Sequence, residues 1–207
     1  MVSTIHDLFG HVYLINLEKS KERLKAALEN CTQIGLSFER FEAFDGDKDK
    51  VPFNGLETAG WSPRAAALCK TTIAILMQAK KEKHKSIFIM EDDINFGSNF
   101  NERISSIKIP EDFELFHLRV TNARKKRWVS PGVMNIRGGW CCQAYAVHSH
   151  IYDLMIEELS KFDRPLDQVT SEIMARGNSY ATSSNLTLHP PNYSTLRNKF
   201  LDHRYEG

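Results

Sequence analysis

The chain is 207 residues long and 42% hydrophobic, enough to bury one sizeable core, and with no linker in view it reads as a single domain over residues 1–207. Its 27 Lys and Arg balance 26 Asp and Glu to a net charge of +1, which excludes a global pull toward nucleic acid or a membrane and makes any electrostatic preference local. No stretch approaches the roughly 20 apolar residues of a membrane span, so membrane contact, if any, is expected to be peripheral.

The four cysteines, Cys31, Cys69, Cys141 and Cys142, form neither a C-x-x-C pair nor the framework of a small secreted domain, and adjacent Cys141 and Cys142 would bridge only with strain. Residues 1–10 lack a basic segment followed by an apolar core. The expectation is reduced thiols and a cytoplasmic protein. Asn185-Leu186-Thr187 matches the glycosylation triplet, which matters only in a secretory compartment.

Residues 11–17 are β-rich and apolar on both faces, the pattern of a central parallel strand. From Ser20 onward Leu24, Ala27, Leu28, Cys31 and Ile34 recur at helical spacing as the buried stripe, and Gly35 supplies a stop. Residues 36–44 read as a second strand, closed by Asp45-Gly46. Residues 45–60, polar and marked by Pro52, form a loop over the top of the sheet, longer than the dozen or so residues of a simple connection. Ser62 as N-cap and Pro63 at the first helical position start a helix to about Lys81. Ala66, Cys69, Ile73 and Leu76 are its expected buried stripe, and Lys80, Lys81, Lys83 and Lys85 suit its C-terminal end.

Ser86-Ile87-Phe88-Ile89-Met90 is an apolar run that ends in Glu91-Asp92-Asp93. It reads as a buried strand delivering three carboxylates to its carboxyl end, where ligands of open α/β sheets sit. Clustered hard oxygens there suit a divalent cation that also holds phosphate oxygens; the competing reading is an acidic turn. A short helix is expected at 101–107 and a strand at 113–120. The basic run Arg124, Lys125, Lys126, Arg127 that follows is either a solvated loop or an anion clamp for a diphosphate or an acidic acceptor. Gly138-Gly139-Trp140 is a turn in which the glycines let backbone approach a ligand and Trp140 stacks on a sugar or base, or else a tight turn beside a buried Trp. Residues 142–147 form a strand, and Ser149 opens an amphipathic helix through Ile151, Leu154, Met155 and Leu159. Asp163-Arg164-Pro165 starts another helix with Asp167 near its front. From Leu186 the tail is polar and proline-marked. Strands alternating with helices predict an α/β fold with a mostly parallel sheet flanked by helices.

Dinucleotide, P-loop, zinc and α/β-hydrolase motifs are absent, and His117, His148, His150 and His189 read individually as ordinary surface or core residues. What survives is an acidic tripeptide at a strand end under a nucleotide-sized cleft. That is the layout of a nucleotide-sugar transferase, in which a cation neutralises the departing diphosphate and a carboxylate deprotonates the acceptor hydroxyl.

Residues 12–23, with Asn16-Leu17 and Arg23, resemble the opening of glycosyltransferase family 25, the lipopolysaccharide-biosynthesis and collagen galactosyltransferase group. Phe38 to Gly46 is similar to that family's strand ending in Asp-Gly, Ile89 to Ile94 to its Leu-Glu-Asp-Asp segment, Ala144-Tyr145 to a later strand, Arg164-Pro165-Leu166-Asp167 to its Pro-Val-Asp element and Pro190-Pro191 to a late proline pair. The resemblance implies a GT-A-like, Rossmann-type fold and an inverting transfer of a hexose, galactose foremost, from a UDP-hexose to a saccharide or glycoconjugate hydroxyl with Mn²⁺ or Mg²⁺. Carried over by position, it implies Asp93 and Glu91 as metal contacts, with Asp92 the weaker acid and His189 an added ligand. Asn16, Leu17, Arg23, Asp45, Gly46, Glu91 and Asp92 would lie by the nucleotide, and Asp167 would be the general base or an acceptor ligand, or else simply an acid at a helix front favoured by the macrodipole. Where the family usually has Ser-His at the front of the helix before the acidic strand, this chain has Cys69-Lys70, which makes Lys70 a replacement phosphate contact, or else marks a changed donor or lost activity. A catalytically silent nucleotide- or sugar-binding domain and a metal-dependent phosphoesterase are the alternatives.

Overall fold

The computed structural model describes residues 4–52, 54, 61–188, 192–194 and 199–201. His189, Pro190 and Pro191 lie outside the described residues, as does most of the second half of the loop expected at 45–60. A central eight-stranded sheet organises the chain. In spatial order it holds β2 (Glu39–Glu42), β1 (His11–Asn16), β3 (Ser86–Glu91), β8 (Ala144–His148), β5 (Leu115–His117), β9 (Ser179–Thr182), β7 (Val133–Asn135) and β6 (Arg127–Ser130). All but β8 and β7 run in one direction, so the sheet is mostly parallel in sense, as expected, with two reversed strands that the sequence did not announce. β4 (Asn95–Phe96) pairs with β10 (Thr187–Leu188), and β11 (Asn192–Ser194) with β12 (Lys199–Leu201), outside the main sheet.

β1 and β3 are apolar on both faces because both faces are covered. Val12, Leu14, Phe88 and Met90 pack with α1 (Ile5–Phe9), α2 (Lys21–Gln33) and α4 (Phe100–Ser105). Tyr13, Ile15, Ile87 and Ile89 face α3 (Pro63–Lys81), α5 (Tyr152–Leu159) and α6 (Leu166–Met174). The alternation along each strand therefore feeds two cores rather than one core and solvent.

α3 has the expected limits, and the buried Ala66, Cys69 and Leu76 lie where its periodicity put them. Ile73 is only half-buried while Thr72 and Ile75 are buried, because α3 is covered by the sheet on one side and by α5 on another. α2 departs further: it fully buries Ala27 and Cys31, whereas Leu28 is 55% exposed. At 100° per residue Leu28 is turned well away from Ala27, and nothing covers that flank among the described residues. Gly35, with φ +70, ends the segment in the left-handed conformation a glycine accepts without strain.

Candidate active site at the carboxyl edge of the sheet

Because β1, β2 and β3 are parallel neighbours, their carboxyl ends open on one edge, together with the front ends of α2 and α3. A cavity of about 250 Å³ lies there, floored by Ile15, Asn16 and Leu17 of the first strand end, Ala43 to Gly46 of the second, and Glu91 and Asp92 of the third. Lys19, in the turn before α2, and Arg23 of α2 close it on one side, and Arg64, Leu68 and Thr71 of α3 on another. Seven residues expected beside a nucleotide, Asn16, Leu17, Arg23, Asp45, Gly46, Glu91 and Asp92, thus line one cavity.

Asn16 joins the elements that form it. Its amide donates to Ser20 O at 3.1 Å and to Asp92 Oδ2 at 2.7 Å, and its Oδ1 accepts from Arg40 Nε at 3.0 Å. One buried side chain therefore ties β1 to β2, β3 and the entry of α2, and its amide serves chiefly to position its neighbours.

Arg23 lies across the acids. Its Nη2 is 2.6 Å from Asp92 Oδ1 and 3.1 Å from Asp93 Oδ2. The other oxygen of Asp93, Oδ1, accepts from Gln143 Nε2 at 3.0 Å, a contact from β8's approach that carries no sequence signal. Burial pushes the Asp92 carboxyl above its ordinary range, with Arg23 and Asn16 pulling against it. Glu91 is pushed up much further, first by burial and then by the charges of Asp93 and Asp167. Asp167, in the first turn of α6, is held by its Oδ1, which accepts the backbone N–H groups of Cys141 at 3.2 Å and Cys142 at 3.0 Å. The fold thus gathers four carboxylates from two distant segments into one electrostatic cluster, with Arg23 as the cation inside it.

The loop after β2 forms the other wall. Lys19 Nζ is 2.6 Å from Asp45 Oδ2, and Arg64 Nε is 2.9 Å from Asp47 Oδ1. Burial works against the Asp45 charge, but Lys19 holds its carboxyl below the ordinary value, as the Arg64 hydrogen bond does for Asp47. A Cβ on Gly46 would sit 2.5 Å from Arg64 Cα, so only glycine lets the loop close on the front of α3. Lys19 and Arg64 escaped the sequence reading. Arg64 did leave a signal, since a cation in the first turn of a helix opposes the macrodipole. Lys70 does not line the cavity: its ammonium lies 4.1 Å from the centroid of the Phe44 ring, while Phe44 itself does line it.

Among the described residues no three His, Cys, Asp or Glu side chains converge as a ready-made metal cage. The donor set nevertheless fits a hard divalent cation of the kind that takes one or two carboxylates and completes its shell with phosphate oxygens and water. Asp92 and Asp93 are adjacent hard ligands that already share one cationic partner. Glu91, held toward its protonated form, is the poorer donor. His189 falls outside the described residues.

Fold and cavity define the class: an α/β protein whose ligand site opens at the carboxyl edge of its sheet, lined by acids with cations paired among them. The model of the family "Glycosyltransferase family 25 (LPS biosynthesis protein)" matches residues 9–139, and the chain belongs to that family. No curated protein matches the chain. Among solved structures, a glycosyltransferase involved in glycosylation of the major capsid of PBCV-1 aligns at 14% identity over 72% of this chain, with a TM-score of 0.42. The chain spans 64% of that protein's length. A Drosophila beta-1,4-galactosyltransferase 7 crystallised with manganese, UDP-Gal and xylobiose aligns at 12% identity over 94% of this chain and 70% of its own, with a TM-score of 0.44.

Proposed function

We propose that the protein transfers a hexose, galactose foremost, from a nucleotide sugar such as a UDP-hexose to a hydroxyl of a saccharide or glycoconjugate, with inversion at the anomeric carbon on a GT-A-like fold. The observation that carries this reading is the cavity at the ends of β1, β2 and β3, where acids and the cations paired with them line one space together with Phe44. A nucleoside diphosphate needs an apolar or aromatic wall for its base and cations for its phosphates, and Arg23 and Arg64 are the guanidinium groups that line this space.

Mn²⁺ or Mg²⁺, when bound, supplies charge neutralisation for the leaving diphosphate, and Asp93 with Asp92 would hold it. Asn16 orients Asp92, and Gln143 orients Asp93. Asp167 takes the proton from the acceptor hydroxyl as its oxygen bonds to the anomeric carbon, while the bond from that carbon to the diphosphate breaks and the nucleoside diphosphate departs. The two backbone N–H groups on Asp167 fix the carboxylate for that attack. A single displacement of this kind inverts the sugar.

The test is a panel of nucleotide sugars with Mn²⁺, read by nucleoside diphosphate release and by binding. A UDP-hexose is expected to bind and turn over, and Asp93→Asn to lower turnover by roughly 100-fold. If no nucleotide sugar binds or turns over, and Asp93→Ala changes neither stability nor any measured activity, the reading fails.

A further inference from the structure

A second, larger cavity, about 810 Å³, is lined by Arg124, Lys125, Arg137, Trp140 and one face of α6 from Gln168 to Ala175. It adjoins the proposed base. Trp140 directly precedes the two residues whose N–H groups grip Asp167, and Gln168 directly follows Asp167.

The cavity is built rather than incidental. The strand-like segments 121–124 and 137–140 are tied by Thr121–Trp140 pairing and by Arg124 N–H to Gly138 O at 2.9 Å and Arg137 N–H to Arg124 O at 3.0 Å. Gly138, at φ +143, holds a backbone conformation that strains a residue with a side chain, and a Cβ there would lie 2.6 Å from Arg124 Nη2. The Arg124 guanidinium lies in the space a Gly138 side chain would take and donates to Ser171 Oγ at 2.8 Å.

Its charge is one-sided. Glu172 is the acid of the lining, and its carboxylate pairs with Arg164 at 3.0 Å. Among the described residues none of Arg124, Lys125 and Arg137 is paired with a carboxylate. Three cations therefore face a cavity whose single acid is engaged elsewhere. The Trp140 side, 38% exposed, adds an aromatic wall of the kind on which the apolar face of a sugar ring packs.

We propose that this cavity is the acceptor subsite and that it selects a saccharide bearing an anionic substituent, a phosphate or a carboxylate, with a sugar face against Trp140. The assignment rests on the transferase reading, from which it takes the role of Asp167. Arg124 and Arg137 hold the anion, Lys125 adds a mobile cation, and Trp140 carries the ring toward Asp167.

The test is calorimetric titration of the whole chain with a hexose 6-phosphate, a hexuronate and a neutral methyl hexoside, with no donor present, alongside titration with UDP and Mn²⁺. Wild type is expected to bind at least one of the anionic sugars about tenfold tighter than the neutral one at low salt, with the better of the two naming the substituent. Arg137→Gln and Lys125→Ala, both exposed positions, should erase that preference, Arg124→Lys should recover part of what Arg124→Ala loses, and Trp140→Ala should weaken all three sugars. UDP binding should persist in each variant. Equal binding of charged and neutral sugars, or an anionic preference that survives Arg137→Gln and Arg124→Ala, overturns the proposal. So does binding to anionic vesicles without binding of either anionic sugar. An Arg124-dependent preference in a protein that turns over no nucleotide sugar supports the anionic-saccharide site and counts against the transferase reading alone.

Discussion

Arg23 Nη2 stands 2.6 Å from Asp92 Oδ1, and Asp92, with only 8% of its side chain exposed, relies on that guanidinium for its counter-charge. Removing one member of a buried pair strands the other, at a cost of about 3–5 kcal/mol for full burial; Arg23 is about a third exposed, so solvent screening reduces the figure. Arg23→Ala is expected to lower unfolding stability at pH 7 by on the order of 2 kcal/mol and to weaken nucleotide binding. Arg23→Lys should recover only part of both, because the one nitrogen that touches both carboxylates is replaced by a more strongly hydrated ammonium on a shorter, more flexible stem. The loss should shrink in acid, since the pair contributes only while Asp92 is ionised. Urea unfolding at pH 7 and pH 4 reads each point.

Glu91 is shifted in the same direction as Asp92, and further. Burial and the neighbouring acids raise its folded value well above 4.5, so the folded protein keeps a proton that the unfolded chain has released. The stability this contributes is full below about pH 4.5 and is lost as pH rises through the folded value. Glu91→Gln, which is neutral throughout, is expected to melt above wild type at pH 7 to 8 and to match it near pH 4. Cation and nucleotide binding should pull the proton off, so titration of Mn²⁺ with UDP in buffers of different ionisation enthalpy should show proton release that vanishes in Glu91→Gln.

The legibility of these acids in the sequence follows from their setting. Charges that end an apolar strand are informative because the strand fixes where they point, and β1 and β3 were readable because each is a six-residue run covered on both faces. β9, with Ser179 and Thr182 buried among apolar neighbours, and β7, three residues long, carry no such alternation. The reversal of β8 was unreadable for another reason: a strand buried on both faces looks the same in either direction. At the site, Asn16, Arg23 and Asp45 were legible, whereas Lys19 and Gln143 act through contacts across the fold that no local pattern encodes.

His117 is expected to make the folded protein acid-sensitive from inside the core. It is fully buried, its Nδ1 lies 3.3 Å from Cys141 O, and its Nε2 has no partner among the described residues. Burial lowers its folded value from 6.5 to about 4. The unfolded chain thus binds a proton that the folded protein refuses, and stability falls as pH drops from about 6.5 toward 4, by on the order of 3 kcal/mol at full titration. Between pH 4.5 and 6.5 this runs against the Glu91 effect, so the clean measurement uses Glu91→Gln as background. There, urea midpoints are expected to fall steeply below pH 6.5, and adding His117→Gln should flatten the fall. An unchanged slope would place the acid lability elsewhere.

Asp167 separates chemistry from structure. Its Oδ1 accepts the N–H groups of Cys141 and Cys142, and an asparagine in the same rotamer keeps a carbonyl oxygen for both. Asp167→Asn should therefore fold, with a melting temperature within a few degrees of wild type. It removes the proposed base, and a positioned general base contributes about 10²–10⁴-fold, so turnover with acceptor is expected to fall by that factor while binding of UDP with Mn²⁺ stays near wild type. Asp167→Ala makes the contrast: it strands two N–H groups in a partly buried setting, at about 1–3 kcal/mol for a lost partner, and should lose stability as well as turnover. A purely structural Asp167 would show the reverse ordering, with Asp167→Asn active and only Asp167→Ala impaired. Steady-state kinetics on the two variants, with thermal melts alongside, distinguish the roles.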